Sequence, residues 1–152
     1  MAVVNLKSNL FRDQQAGGAV PDALQVKGIV RRAVGSIANA AADSNTSTYK
    51  LISLPSYVIL GVGTYFYNEN WGFAVTQVGV AGDGDALFTK TTAATTFEAP
   101  VSAVEQASGV RLWELLGLAE DPNDMIDLIV TAAADAAGAG TMTFVIEWID
   151  NG

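Results

Sequence analysis

The stretch from Thr141 to Trp148 constrains the fold more than any other part of this chain. Met142, Phe144, Ile146 and Trp148 alternate there with Thr141, Thr143, Val145 and Glu147. Successive side chains of a strand point to opposite faces, so a period of two predicts a strand with Met142, Phe144, Ile146 and Trp148 in a core. Such a strand needs partners. Candidates are Tyr49–Leu54, ended by Pro55; Tyr57–Tyr67, bent at Gly61 and Gly63; Phe73–Val80; and Ile126–Ala132. A further strand is expected from Leu24, with Leu24, Val26 and Val30 on one parity, Gln25, Lys27 and Arg31 on the other, and Gly28 as a bulge.

The segments between these runs carry turn chemistry. Ala38–Ser47, Asn68-Glu69-Asn70, Gly82-Asp83-Gly84-Asp85, Asp121-Pro122-Asn123-Asp124 and Ala133–Gly140 read as connections, and the threonine-rich 89–96 fits either strand or loop. The period changes once. Ser102-Ala103-Val104-Glu105 after Pro100 fits a capping box, and Val110, Trp113 and Leu116 before Gly117 fit a short amphipathic helix. Seven or eight short strands with one or two short helices predict an all-β fold, an antiparallel sandwich or barrel. The 152 residues suffice for one such domain, placed at 23–152. Residues 1–22 lack a sustained period and are expected to form an extended N-terminal arm, with Gly17-Gly18 as a flexible point.

Composition narrows the function. The chain has neither histidine nor cysteine. Disulfides, thiolate metal sites, Ser-His-Asp and Cys-His nucleophiles and HExxH zinc chemistry are therefore excluded. The expectation is no enzyme, no catalytic residue, no cofactor and no bound metal. Residues 1–50 hold six Lys and Arg against three carboxylates, whereas 51–152 hold two against 13. An acidic body argues against nucleic acid as a partner, since phosphate recognition needs a concentrated basic face. The longest apolar run, Tyr57–Gly63, is far below the ~20 residues of a membrane-spanning helix, and the first residues show no secretory pattern.

The remaining motifs have plain explanations. Gly61-Val62-Gly63 lacks the third glycine and the helix of a dinucleotide fingerprint and reads as a bend. Asp83-Gly84-Asp85 lacks the closing glutamate of a calcium loop, and turn chemistry accounts for Asp121, Asn123 and Asp124 near Asp127. Arg31 and Arg32, consecutive in a strand, point to opposite faces and form no patch. Trp113 and Trp148 sit at periodic core positions, which leaves Trp71, beside a turn, as the candidate exposed interface aromatic.

Five segments together resemble the decoration or cement proteins of tailed-bacteriophage heads. They are Tyr49–Pro55; Val78-Gly79-Val80 with Gly82–Phe88; Leu112–Leu118; Asp127–Thr131; and Gly140–Trp148. The resemblance covers roughly 49–149. It implies a jelly-roll β-sandwich that is made in the host cytoplasm and clamps the outer surface of the capsid in the virion, bound to the major capsid protein, often as a homotrimer. No membrane is implied. Mean hydropathy of +0.29 with 16% charged residues fits a body whose surface is partly covered by other subunits. The arm residues Val3, Val4, Leu6, Lys7, Leu10, Phe11 and Arg12 are the candidates for the capsid or subunit contact. A carbohydrate-binding β-sandwich module, using Trp71 and loop acids, is the alternative from another class, and a small carboxylate-dependent hydrolase is a third.

Overall fold

Nine strands and two short helices follow one another through the described residues, 28–91 and 96–150 of a computed structural model. The strands are β1 (Ile29–Asn39), β2 (Thr48–Pro55), β3 (Ile59–Leu60), β4 (Tyr65–Glu69), β5 (Val75–Val80), β6 (Asp83–Thr91), β7 (Thr96–Glu98), β8 (Met125–Ala132) and β9 (Gly140–Asp150). Helices α1 (Ala103–Ala107) and α2 (Leu112–Leu115) lie between β7 and β8. The expected arm at 1–22 and the strand positions 24–27 lie outside the described residues.

The pairing order defines the architecture. With the two-residue β3 set aside, β1 pairs β9, β2 pairs β8, β4 pairs β7 and β5 pairs β6, all antiparallel. The first half of the chain thus pairs in reverse order with the second, as one long ribbon. Folding that ribbon over brings β4 onto β9 and β5 onto β8. Two sheets result, β1-β9-β4-β7 with β3 also on β9, and β2-β8-β5-β6. This is a jelly-roll β-sandwich, the expected all-β class.

The core lies between the sheets. From β9, Met142, Phe144 and Ile146 are buried, and half-buried Trp148 packs against the same cluster. Leu128 and Val130 of β8, Val78 of β5 and Phe66 of β4 meet them, and Leu112 and Leu116 of the helical segment close one end. Phe66 and Phe88 rings lie 5.0 Å apart across the two sheets. Asn39, at the end of β1, is a buried polar clamp. Its Oδ1 accepts Gly72 N–H at 3.0 Å, and its Nδ2 donates to Gly138 O at 2.7 Å and Ala40 O at 3.0 Å. It ties three connections that have no ladder of their own.

Several local expectations change. In β1 the inward positions are Ala33, Gly35, Ile37 and Asn39, while Val30 faces outward, opposite to the parity read from Leu24. The pattern of β1 is set by its neighbour: a Cβ at Gly35 would lie 2.5 Å from Phe144 Cζ, so only glycine admits the ring. β1 runs to Asn39, into the small-residue segment read as a loop, and pairs with β9 through eleven residues without a bulge. Gly28, placed as a bulge, instead precedes the strand with φ of 110°. The turn between β5 and β6 is Ala81-Gly82, and Asp83-Gly84-Asp85 already belongs to β6. The helical segment is two helices. The capping box at its start is present in both directions, Glu105 N to Ser102 Oγ and Ser102 N to Glu105 Oε2, and Gly109 at φ 69° separates α1 from α2.

Candidate functional site

The outward face of the β1-β9-β4-β7 sheet carries the exposed apolar residues Val30, Val34 and Phe97. Core positions on β4 are Phe66 and Asn68, so Tyr65 and Tyr67 point outward. Register then builds two cross-strand rows. Val34 of β1 lies opposite Val145 of β9, which lies opposite Tyr65 of β4. Ser36, Thr143, Tyr67 and Phe97 follow in the next outward row. Tyr65 and Phe97 rings are 5.4 Å apart, a tilted aromatic pair on the surface. Val34 is 71% exposed and Phe97 56%, whereas Val145 between the flanking strands is buried. Toward the start of β1, Val30 lies opposite Ile149, itself opposite Ile59.

One polar row crosses this apolar face. Arg32 Nη2 donates to Glu147 Oε2 at 2.8 Å. Gly63 N–H donates to the other carboxylate oxygen at 3.2 Å, and the Thr64 hydroxyl and Gly61 N–H both donate to Glu147 O. The Gly61-Val62-Gly63 bend therefore serves as a cradle for Glu147: a Cβ at either glycine would lie 2.6 Å from its carboxylate. Arg31 turns the other way and bridges to Asp150 at 3.2 Å, so the two arginines do not act together, as expected.

The acidic clusters come apart in the fold. Asp121 Oδ1 accepts Asn123 N–H and Asp124 Oδ1 accepts Met125 N–H, each ordering its own turn. Ser56 and the Asn123 N–H hold the Asp121 carboxyl below the usual range. Asp127 projects from β8 to Lys50 Nζ at 2.6 Å and to the Ser53 hydroxyl, and these two contacts depress its pKa. Asp43 accepts the Tyr49 hydroxyl at 2.5 Å; its pKa falls through that bond, while burial and then the same bond push Tyr49 up to about 12. A groove of about 510 Å³ beside the β5–β6 turn is lined by Lys50, Asp127, Thr131 and Gly84, with its two charges satisfying each other. Among the described residues, no group of three or more acids is placed to share a metal ion. No helix among them is long and apolar enough to cross a membrane.

Trp71 needs correction. It is only 6% exposed and packs against Tyr49 at 5.4 Å and Phe73 at 5.5 Å. The turn beside it folds back over the core through Asn39 and Gly72, so Trp71 offers no platform to a partner or a sugar. The arm candidates Val3, Val4, Leu6, Lys7, Leu10, Phe11 and Arg12 lie outside the described residues. Sequence reading missed the outward row altogether. Its signal was Val145, an apolar residue at a parity otherwise held by Thr141, Thr143 and Glu147.

No family model and no curated protein matches the chain. Among solved structures, the chain is similar to one from the cyanophage Pam1 capsid asymmetric unit, with 14% identity, a TM-score of 0.49, and coverage of 81% of this chain and 86% of that one.

Proposed function

We propose that this protein is a decoration protein of a tailed-phage head, bound to the major capsid protein on the outer surface of the shell. The observation that carries the reading is the resemblance of five segments to decoration proteins, four of which form strands of the sandwich. Tyr49–Pro55 lies in β2, Val78–Phe88 in the β5–β6 hairpin, Asp127–Thr131 in β8 and Gly140–Trp148 in β9. Exposed Val30, Val34 and Phe97 on the outward face of the β1-β9-β4-β7 sheet suit a function exercised by burial against another surface. In this reading the protein acts by binding alone, without catalysis or cofactor, and stands in threes on the lattice. Residues 1–22 form the attaching arm, burying Val3, Val4, Leu6, Leu10 and Phe11 in a neighbour.

Co-sedimentation with purified tailed-phage heads that lack decoration tests the reading. Saturable retention that falls sharply when residues 1–22 are deleted is the expected result. A protein that stays in the supernatant with such heads and binds a glycan array instead would replace this reading with the carbohydrate one.

A further inference from the structure

The groove of about 510 Å³ on the outward face of the β2-β8-β5-β6 sheet is built by specific departures from regular strand geometry. Along its first wall Thr48 lies opposite Thr131, Lys50 opposite Ile129 and Ser53 opposite Asp127. Lys50 and Ser53 are an odd number of residues apart, so a regular strand would turn them to opposite faces. The register shift between Lys50 and Ile52 returns both to the outward face. Lys50 Nζ, at 2.6 Å, and the Ser53 hydroxyl then donate to the same carboxylate, that of Asp127.

The second wall is the end of the β5–β6 hairpin, and two glycines let it close in. A Cβ at Gly79 would lie 2.2 Å from Asp83 O, and one at Gly84 would lie 3.0 Å from Thr131 Oγ1. Ile129 forms the floor: it has outward parity on β8, yet it is only 7% exposed. An aliphatic floor is thus bounded by threonine hydroxyls, a carboxylate and an ammonium group.

We infer that this groove binds a neutral saccharide, seating one pyranose ring. A sugar hydroxyl both donates and accepts, so a vicinal diol donates to Asp127 and accepts from Lys50 at once. The carboxylate has room for it, because Lys50 and Ser53 fill two of about four acceptor sites. The C–H face of the ring packs on Ile129 and Val80. The volume suits a small-molecule site, which spans about 300–1,000 Å³. Other ligand classes fit worse. Lys50 and Asp127 cancel in charge, leaving nothing to select a phosphate, and no aromatic ring lines the groove to stack on a nucleobase. The groove lies on the other sheet from Val34 and Phe97, so a bound sugar does not compete with burial of that face. The inference goes beyond the decoration reading and does not rest on it.

Amide NMR of the full-length protein, titrated with the methyl glycosides of glucose, mannose and galactose, tests the inference. At least one sugar should give saturable shifts confined to the groove, at Lys50, Gly82, Gly84 and Ile129. Asp127→Ala and Lys50→Met should each weaken that binding at least about tenfold, the scale of a hydrogen bond to a charged group. Both variants should stay folded, since an exposed ion pair contributes little to stability, and their own spectra check this. Shifts that do not saturate with any of the three sugars would overturn the inference. So would shifts centred on Tyr65 and Phe97, or unchanged binding by folded Asp127→Ala protein. Retention on heads without sugar binding would overturn this inference and leave the decoration reading intact, and sugar binding without retention would do the reverse.

Discussion

Glu147 occupies the space that a side chain at Gly63 would need. A Cβ there would lie 2.6 Å from its Oε2, and the carboxylate cannot swing aside without leaving Arg32 and the Gly63 N–H. Gly63→Ala should therefore cost about 1–3 kcal/mol, the usual range for overpacking. In a Glu147→Ala background the same substitution should cost less than about 1 kcal/mol. The exposed Arg32 partner contributes little by itself, so the difference between the two urea-melt values measures the steric conflict.

The register of β9 is tested by two adjacent residues. Met142 is fully buried, whereas Thr143 lies in the outward row with Ser36 and Tyr67. Met142→Ala should cost about 2–5 kcal/mol. Thr143→Ala should cost less than about 1 kcal/mol. Equal losses would mean that the strand is out of register by one.

The strand that the alternation revealed most clearly is also the central one of its sheet, because both its neighbours bury the same parity. β2, β5 and β8 were legible for a similar reason: Leu54, Val78, Leu128 and Val130 face the core from one sheet, and burial dictates their pattern. β1 was legible only in part. At an edge with exposed residues, no buried face imposes a period, and its inward positions include Gly35, chosen for the Phe144 ring, and Asn39, chosen for hydrogen bonds. Neither requirement is visible in local sequence. The same blindness applies to Trp71. A tryptophan beside a turn looks exposed until the turn is known to fold over the core. The outward row Val34–Val145–Tyr65 depends on register between strands separated by as many as 111 residues, which periodicity within one strand cannot supply.

Asn39 replaces a ladder with side-chain bonds, so its removal should be felt at three places. Asn39→Ala leaves the buried Gly72 N–H and Gly138 O without their partner and should cost about 1–3 kcal/mol. Amide exchange at Gly72 should accelerate more than exchange in the β2–β8 ladder. Uniform acceleration would show that the clamp acts only through global stability.

Burial of Tyr49, and then its bond to Asp43, gives stability an alkaline limit. The folded tyrosine titrates at about 12 and an unfolded one near 10. Its contribution is complete below about pH 10 and is lost as pH rises toward 12, by about 1.4 kcal/mol per unit. Asp43 acts oppositely: its carboxyl is held below the usual range, so its contribution is present above that range and lost as pH falls through the depressed value. Tyr49→Phe keeps the ring against Trp71 and Phe73. Urea melts from pH 8 to 12 should show a shallower alkaline decline for Tyr49→Phe than for the parent. Parallel declines would refute the assignment.

Electron cryomicroscopy of tailed-phage heads saturated with the full-length protein decides whether it attaches to a capsid. The expected image is jelly-roll density on the outer surface in groups of three, in contact with the major capsid protein. Heads that carry no added density at saturation, or that carry isolated single copies away from every symmetry axis, would contradict it.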